Sequence, residues 1–302
     1  MTTAVPTDPT IAIDLGGTHV RAAVVAHDGT VTSRVRRTTP HDHPTPAFVA
    51  ELVAEAAASA GGQIRRAVVG VPGVIDYDAE QLIAAPNLPA VWIPMLNDRW
   101  LAEHTGLEIA LANDADLAAV GESNFGAGIE ARDVVYVTVS TGVGAGIVLG
   151  HRLMRGRYSG GEIGHSVIDR VRMAAGEDGT VEGLGSGTAM ARAAVAAGIE
   201  ATGAELAALV ADGNPGAVQV WNDAVEAVAV GVVNLCWLVT PQMVVVGGGV
   251  GMNSDLVLPI IRQRVAEFGP SIEPVEIVPA KLGDDAALSG AAAWWKAIGR
   301  DA

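Results

Sequence analysis

Three glycine clusters in this sequence lie beside side chains that could help to bind phosphate. They span Asp14–Thr18, Thr141–Gly146 and Gly247–Gly249. Backbone N–H groups in a glycine turn approach anions closely because no Cβ stands in the way. A single cluster of this kind is more often a simple hairpin turn. Three clusters, two of which carry threonine and one of which carries aspartate, indicate phosphate binding.

The residues around the clusters exclude the common nucleotide-binding loops. The sequence has two lysines, Lys281 and Lys296, and neither follows a glycine, so there is no Walker A loop. The first cluster also lacks the G-x-G-x-x-G pattern of a dinucleotide site and leads into a strand, which disfavours a dehydrogenase. Asp14 ends a strand beside the first cluster, where a carboxylate could hold Mg²⁺ or its water shell, although a simple turn-forming role is the alternative.

Asn113 and Asp114 follow an apolar strand and begin a predicted helix. An aspartate there could simply cap the helix. It could also accept a proton from a hydroxyl group that attacks phosphorus, provided that it lies within hydrogen-bonding distance. The residues alone favour neither interpretation.

Glu162, His165 and Glu182 lie among many glycines in the second half of the chain. Carboxylates and imidazole are suitable partners for sugar hydroxyls, and exposed loop residues are the simpler alternative. His165 could instead be a metal ligand, but no cysteine lies nearby. Cys236, in an apolar helix, is predicted to be a buried small residue.

The apolar periodicity predicts alternating strands and helices in two α/β halves. Each half opens with a strand, a glycine turn and a second strand, the first at Ile11 and the second at Val134. Further strands are predicted at 67–71, 108–112, 243–246 and 275–278, and helices at 46–60, 95–105, 115–125, 186–197, 204–212, 215–238, from about 253 and at 286–297. The helix at 46–60 is expected to stop at Gly61-Gly62.

Composition excludes several classes of protein. Lys+Arg number 19 and Asp+Glu 34, so the formal net charge is −15, and no basic patch supports binding to nucleic acid or to an anionic membrane. The longest uncharged apolar stretch, residues 227–240, is shorter than the roughly 18 residues of a membrane span. The first ten residues lack the pattern of a signal peptide, so we expect a cytoplasmic protein.

The ordered set of motifs resembles the ROK family of sugar kinases and sugar-responsive repressors from about residue 11 to residue 292. The motifs are IAIDLGGTHVRAAVV, GVPGVID, APNLP, ANDADLAAVGE, VTVSTGVGAGIVLGHRLMRG, GGEIGH, VEGLGSGTAMAR and VVVGGGV. The resemblance implies an actin-like, hexokinase-type (ribonuclease H-like) α/β fold with a nucleotide and sugar cleft between two lobes. The expected lobes are 1–119 with 286–302, and 120–285.

The same resemblance implies roles for individual residues. Asp114 is the expected general base. The expected sugar-binding residues are Gly73, Asn87, Asn113, Asp114, Glu162, His165 and Glu182, and the expected ATP-binding residues are Asp14, Gly16, Gly17, Thr18, Thr141, Gly142, Gly247, Gly248 and Gly249. Asp14 is also expected to hold Mg²⁺ through phosphate or water.

One segment departs from the family pattern. The family places a cysteine-rich zinc motif between the histidine and the next glutamate, whereas residues 166–181 here read SVIDRVRMAAGEDGTV. We therefore predict no structural zinc, and the orientation of His165 must be fixed in another way.

The function implied is ATP-dependent transfer of a phosphoryl group to a hexose, glucose before others. Mannose, fructose, an N-acetylhexosamine, a cyclitol and polyphosphate as donor stay open. A non-catalytic sugar-binding or regulatory protein is the alternative of another class. Since only about ten residues precede the first strand and the net charge is −15, we do not expect a DNA-binding repressor. A homodimer is expected from the resemblance.

Overall fold

The computed structural model describes residues 8–60, 63–201 and 203–301. Its strands are β1 (Thr10–Leu15), β2 (His19–Val25), β3 (Val31–Thr38), β4 (Arg66–Val71), β5 (Val74–Asp76), β6 (Gln81–Ala84), β7 (Glu108–Asn113), β8 (Val134–Val139), β9 (Val143–Leu149), β10 (Arg152–Leu153), β11 (Met243–Gly247) and β12 (Glu276–Pro279). Its helices are α1 (Ala47–Ser59), α2 (Asp98–Thr105), α3 (Asp114–Phe125), α4 (Arg170–Ala174), α5 (Val181–Gly185), α6 (Gly187–Ala196), α7 (Gly203–Ala211), α8 (Pro215–Val239), α9 (Gly248–Gly251), α10 (Ser254–Phe268) and α11 (Ala286–Ala297).

The first sheet has the strand order β3-β2-β1-β4-β7. β1 pairs antiparallel with β2, and β1, β4 and β7 run parallel. Asp14 lies opposite Gly70 of β4, and the next residue of β4, Val71, lies opposite Asn113 of β7. Because parallel strands end at the same edge of a sheet, this register brings Asp14 and Asn113 to one edge.

The second sheet has the order β10-β9-β8-β11-β12, in which β8, β11 and β12 are parallel. Gly247, at the end of β11, lies opposite Thr138 of β8. The glycine residues 247–249 therefore follow a strand that ends beside the strand before Thr141. The central strands of both sheets are buried, which explains their nearly continuous apolar sequences.

The chain divides into two compact units. Unit 1 is Met1–Arg132, Gly146–Gly160 and Asp284–Ala302, and unit 2 is Asp133–Ala145 and Gly161–Gly283. The expected lobes placed their first boundary after residue 119, which falls inside α3. All of α3 lies in unit 1 because it packs closely on α11, where a Cβ at Gly121 would lie 2.1 Å from the carbonyl oxygen of Ala286. Residues 146–160, which were expected in the second lobe, also belong to unit 1.

Polar caps fix the helices that matter for the site. The side chain of Asn97 caps α2, whose C-terminal Gly106 has φ +70°, and the side chain of Asn113 caps α3. β3, the β5–β6 hairpin and the short helices α4 and α5 were not predicted from the sequence. The predicted stop of α1 at Gly61-Gly62 and the start of the chain at residues 1–7 lie outside the described residues.

Helix α8 corresponds to the helix predicted at 215–238, and it begins well before the uncharged stretch 227–240. It has 25 residues, and by length and composition alone it could cross a membrane. However, 56% of its most apolar window is buried inside the protein, as in the core helix of a soluble fold. Cys236 of α8 is buried as predicted, and burial raises the pKa of its thiol to about 11.

Candidate active site

The first glycine turn joins β1 to β2 and is tightly enclosed. The N–H of Gly16 donates to the carbonyl of His19 at 2.9 Å, and the hydroxyl of Thr39 donates to the carbonyl of Gly16 at 2.6 Å. At Gly17, an added Cβ would lie 2.8 Å from the carbonyl oxygen of Asn87. Glycine is therefore required at position 17 by a backbone contact, and this contact brings Asn87 beside the predicted phosphate turn.

Asp14 is paired with an arginine that the sequence analysis did not select. The Nε of Arg21 lies 3.0 Å from Oδ2 of Asp14, and a second guanidinium nitrogen contacts the same oxygen. The register of the hairpin places the two residues directly opposite each other. Counting outward from the turn between Leu15 and Val20 would have identified Arg21 from the sequence.

The donor set at Asp14 suits a Mg²⁺ ion that arrives with phosphate. Mg²⁺ is usually held by one or two carboxylates together with substrate phosphates and water. Asp14 supplies one partly exposed carboxylate, and one of its oxygens is already used by Arg21. Within residues 8–60, 63–201 and 203–301, no group of three or more His, Cys, Asp or Glu side chains forms a metal site. The arrangement fits Mg²⁺ as part of a nucleotide substrate.

Asn113 holds the start of α3 from both sides. Its side-chain oxygen accepts hydrogen bonds from the N–H groups of Ala115 and Asp116, at 2.9 and 3.1 Å. Its side-chain nitrogen donates to the carbonyl of Gly73 at 3.1 Å. Asp114 is thereby fixed as the first residue of α3, and its carboxylate oxygen Oδ1 accepts the N–H of Ala115 at 2.8 Å. The structure brings Gly73, Asn113 and Asp114 together.

Tyr77 supports this arrangement from behind, and it was not selected from the sequence. Its hydroxyl donates to Oδ2 of the buried Asp116 at 2.7 Å and accepts the N–H of Asn113 at 3.2 Å. Burial, with a further contribution from the charge of Asp116, raises the pKa of Tyr77 well above its usual value. The hydroxyl therefore stays protonated and fixes the backbone of Asn113. No spacing in the sequence indicates this contact.

The second glycine turn joins β8 to β9 in unit 2. The N–H of Ser140 donates to the carbonyl of Gly142 at 2.9 Å, which closes the turn around Thr141. The N–H of Val143 donates to Oε2 of Glu182 at 2.9 Å. Glu182, predicted as a sugar ligand, therefore contacts the turn predicted to bind phosphate.

Glu162 and His165 lie at the short 3₁₀ helix Ile163–His165. The Nε2 of His165 is 3.9 Å from Oε2 of Glu162, and both side chains are exposed to solvent. Desolvation raises the pKa of Glu162; His165 opposes this rise and the charge of Glu182 adds to it. Gly164 permits the close packing of this helix, since a Cβ there would lie 2.1 Å from the carbonyl oxygen of Val143. Glu162, His165 and Glu182 are thus gathered near the second turn.

The residues 247–249 begin the short helix α9. Gly248 has φ +85°, a conformation that favours glycine, and a Cβ there would meet the carbonyl of Val139 at 2.5 Å. Gly249 is exposed, and a hypothetical Cβ there would lie 3.9 Å from the side-chain oxygen of Ser140. Gly248 therefore packs the start of α9 against the end of β8, the strand that leads into the second turn.

Residues 166–181, which replace the cysteine-rich motif, form a loop closed by hydrogen bonds. The N–H groups of Ile168 and Asp169 both donate to the carbonyl of Gly179, at 2.9 and 3.0 Å, and the N–H of Val181 donates to the carbonyl of Ser166 at 3.0 Å. At Gly179, a Cβ would lie 2.2 Å from the carbonyl oxygen of Asp169. The loop connects His165 to Glu182 and is cross-linked by its own backbone.

The predicted site residues fall into two groups, one in each unit. Unit 1 contains Asp14, Gly16, Gly17, Thr18, Gly73, Asn87, Asn113 and Asp114, and unit 2 contains Thr141, Gly142, Glu162, His165, Glu182, Gly247, Gly248 and Gly249. Arg21 and Tyr77 in unit 1 were not selected from the sequence. Nor was Thr188 in unit 2, whose hydroxyl donates to the carbonyl of Thr141 at 2.8 Å.

Comparison with known proteins identifies the family to which the chain is similar. The sequence model of the ROK family matches residues 10–298. The chain is 34% identical over 298 residues to the bifunctional enzyme NanE/NanK of Brucella suis, covering 96% of this chain and 53% of that protein. The chain thus spans about half the length of those bifunctional relatives. It is 32% identical to a glucokinase of Streptomyces coelicolor (94% of this chain, 96% of that one) and 30% identical to an N-acetylmannosamine kinase of Haemophilus influenzae (95% of each).

Solved structures agree with this relationship. The ROK hexokinase from Thermus thermophilus superposes with a TM-score of 0.80 at 33% identity, covering 94% of this chain and 96% of that one. A ROK family glucokinase from Streptomyces griseus, solved with glucose and AMPPNP, superposes with a TM-score of 0.78 at 30% identity, covering 95% and 98%. The predicted fold class, actin-like and hexokinase-type, is confirmed. Since the family model and these relatives cover nearly the whole chain, the protein belongs to the ROK family.

Proposed function

We propose that this protein is an ATP-dependent sugar kinase that transfers the γ-phosphoryl group to a hexose hydroxyl, with glucose as the first candidate and glucose 6-phosphate as its product. The observation that carries the proposal is the placement of Asp114. Asn113 donates a hydrogen bond to the carbonyl of Gly73 and accepts the N–H groups of Ala115 and Asp116, and these bonds fix Asp114 as the first residue of α3, at the end of β7. A general base must be held in place in this way to reach one particular hydroxyl group.

In the proposed reaction Asp114 accepts the proton of the sugar hydroxyl. The hydroxyl oxygen forms a bond to the γ-phosphorus, and the bond between that phosphorus and the β–γ bridging oxygen breaks. ADP leaves with the electron pair of the broken bond. Phosphoryl transfer depends mainly on positioning and on electrostatic stabilisation, so the groups around the phosphates matter as much as the base.

We assign the nucleotide to the glycine turns. From unit 1, Asp14, Gly16, Gly17 and Thr18 bind the phosphates and Asp14 contacts their Mg²⁺ directly or through water. From unit 2, Thr141 and Gly142 bind phosphate, and Gly247, Gly248 and Gly249 lie near the adenosine. This assignment is supported by the glucokinase of Streptomyces griseus, which was solved with AMPPNP.

We assign the sugar to Gly73 and to the polar side chains of Asn87, Asn113, Asp114, Glu162, His165 and Glu182. Exposed carboxylates and an imidazole suit hydroxyl groups. The identity of the sugar rests on two kinds of relative, glucokinases and N-acetylmannosamine kinases, with similar identities to this chain. N-acetylmannosamine is therefore the second candidate substrate, and other hexoses and cyclitols belong in the same test.

The alternative of another class is a sugar-binding or regulatory protein without turnover. The fixed position of Asp114 argues for catalysis, because a binding module has no need of a fixed base. We further propose a cytoplasmic homodimer, for which light scattering after gel filtration is the test. Neither nucleic acid nor membrane is expected as a partner, given the net charge of −15.

The decisive experiment measures ADP release from Mg-ATP with glucose, mannose, fructose, N-acetylglucosamine, N-acetylmannosamine and a cyclitol. Polyphosphate is tested as a second donor with the best sugar. Asp114→Asn keeps the size of the side chain, and we expect it to lower kcat by about 10²- to 10⁴-fold. Sugar binding by the wild-type protein without turnover on any member of the panel would overturn the kinase proposal and favour the binding module.

A further inference from the structure

Helices α5 and α6 hold the second glycine turn through several hydrogen bonds. Besides the bond from Val143 N–H to Glu182, the N–H of Gly187 donates to the carbonyl of Ser140 at 2.7 Å. The hydroxyl of Thr188 donates to the carbonyl of Thr141 at 2.8 Å. Every residue from Ser140 to Val143, apart from Gly142, is thus bonded to α5 or α6.

The packing requires this close approach. A Cβ at Gly187 would lie 2.7 Å from the carbonyl oxygen of Ser140, and a Cβ at Gly142 would lie 2.4 Å from Oε2 of Glu182. Glycines at positions 142 and 187 therefore allow the turn and the two helices to meet. The side chain of Ser186 caps α6 by accepting the N–H of Ala189 at 3.1 Å, which fixes the helix end that carries Thr188.

We propose that Glu182 and Thr188 are positioning residues for the Thr141–Gly142 turn, so that nucleotide binding depends on a side chain otherwise assigned to the sugar. The inference rests on the proposed function and deepens it. Thr188 lies in neither predicted group of ligands. Glu182 uses Oε2 for the turn and is only partly buried, so the same carboxylate links the two substrates.

This link has a thermodynamic consequence. A sugar that contacts Glu182 restrains the carboxylate that holds the turn, and the turn is then better ordered for phosphate. Coupling between two ligands is reciprocal, so sugar must strengthen nucleotide binding by the same factor as nucleotide strengthens sugar binding. Removing the contact between Glu182 and the turn should remove most of this factor.

The test is calorimetric titration of AMPPNP with Mg²⁺ into the full chain, first without sugar. Thr188→Val removes the hydroxyl while nearly keeping the shape, and we expect the Kd for AMPPNP to rise about fivefold, as for a lost hydrogen bond. Thr188→Ser keeps the hydroxyl and should restore most of the affinity. Glu182→Ala should raise the Kd about tenfold, and Glu182→Gln, which keeps an acceptor oxygen, should raise it less.

Glu162→Gln is the matched control, because Glu162 is assigned to the sugar and makes no hydrogen bond to the turn in the described structure. It should weaken sugar binding and leave the sugar-free Kd for AMPPNP unchanged. Thermal melting of each variant separates loss of affinity from loss of fold. With the best sugar present, the wild-type protein should show coupling that Glu182→Ala lacks.

Two results distinguish the failure of this inference from failure of the proposed function. If Glu182→Ala and Thr188→Val are folded and bind AMPPNP like the wild type, while Glu182→Ala loses sugar, then Glu182 is a sugar ligand only and the inference is wrong. If the wild-type protein binds no AMPPNP and phosphorylates no sugar of the panel, the proposed function is wrong and the inference falls with it.

Discussion

The two glycine turns have similar sequences but are held by different groups. The first, Gly16–Thr18, is held by the hydroxyl of Thr39 and the backbone of Asn87, and the carboxylate beside it is paired with Arg21. The second, around Thr141 and Gly142, is held by side chains and amides of two helices. The carboxylate near it, Glu182, accepts a main-chain N–H and, within the described part of the chain, is not paired with an arginine there. Local sequence alone therefore does not set the electrostatics of a phosphate turn.

The difference matters for what each turn can contribute. At the first turn the guanidinium of Arg21, paired with Asp14, lies beside the proposed phosphate site. At the second turn one amide is already used by Glu182, so its binding capacity depends on how α5 and α6 hold it. The first turn therefore lies beside an Arg–Asp ion pair, whereas the geometry of the second turn depends on hydrogen bonds from α5 and α6.

Replacing the glycines should have unequal effects on stability. A Cβ at Gly17 would meet the backbone oxygen of Asn87 at 2.8 Å, whereas at Gly142 it would meet the end of the flexible Glu182 side chain. We expect Gly17→Ala to lower the free energy of unfolding by about 3 kcal/mol and Gly142→Ala by about 1 kcal/mol or less. Urea denaturation checks this, with Gly203→Ala as control because, apart from its chain neighbours and its own helix, the described residues place no heavy atom within 4 Å of a Cβ there. If the two substitutions lower the free energy of unfolding equally, the predicted difference between a backbone contact at Gly17 and a side-chain contact at Gly142 is wrong.

Arg21 should matter for turnover more than for folding. Arg21→Met removes the positive charge next to Asp14, and we expect kcat to fall by about 10- to 100-fold, since fixed charges stabilise the transferred phosphoryl group. Arg21→Lys keeps a charge without the planar fork and should recover part of the rate. Steady-state kinetics with the best sugar measures both effects.

Arg34→Met is the matched control for Arg21. Arg34 pairs with Asp285 on the exposed side of β3 in the same unit. The substitution Arg34→Met therefore removes a similar ion pair at a position away from the turn. Surface pairs of this kind contribute little to stability. If Arg34→Met and Arg21→Met reduce kcat equally, the charge at the first turn has no special role.

A third carboxylate, that of Asp98 in unit 1, shows how far one hydrogen bond from a main-chain N–H lowers the pKa of a buried side chain. Asp98 is buried in α2 and accepts the N–H of Leu111 at 2.7 Å, as Glu182 accepts that of Val143. Burial raises the pKa of Asp98 to about 7 from its usual 3.8, and the amide of Leu111 only partly offsets this rise. One amide therefore does not make a buried carboxylate acidic.

The raised pKa predicts how stability depends on pH. Above about pH 4 the unfolded chain has lost this proton, whereas the folded protein keeps it until about pH 7, so raising the pH between these values favours unfolding. We expect the free energy of unfolding of Asp98→Asn to rise relative to wild type by about 2 kcal/mol between pH 5 and pH 7.5. Denaturation curves at several pH values measure this difference. The exposed Asp223→Asn should show no such trend, and parallel curves for Asp98→Asn and wild type would contradict the prediction.

Much of the fold followed from the sequence because its signals are local. Glycine turns between apolar runs located both hairpins, and Asn113-Asp114 located the start of α3, although the residue that caps the helix is Asn113 and not the aspartate suggested from the sequence. The boundary after residue 119 was misplaced because the packing of α3 on α11 joins residues far apart in the chain. Long-range packing of this kind leaves no periodic pattern.

The candidate site shows the same limit of local signals. The residue types of Asp14 and Asp114 suggested chemistry, but the contacts around them depend on strand register and on loops that are distant in the chain. Arg21 pairs with Asp14, Tyr77 bonds Asn113 and Asp116, and Asn87 packs against Gly17. Arg21 was within reach of a register argument. Tyr77 and Thr188 were not, because a hydroxyl that bonds a distant carbonyl or amide carries no sequence signature.

The smallest expected effect concerns metal and the loop before Glu182. The loop 166–181 contains no cysteine, and Asp178 holds it by accepting the N–H and hydroxyl of Thr180 at 3.0 and 2.7 Å. We predict no stoichiometric zinc in elemental analysis and no change in melting temperature or kcat after treatment with a zinc chelator. Asp178→Ala should instead lower the free energy of unfolding by about 1 kcal/mol, since it removes the two hydrogen bonds that Asp178 accepts from Thr180 within the loop. One zinc per chain, lost to the chelator together with activity, would show that a metal rather than these hydrogen bonds fixes the segment between His165 and Glu182.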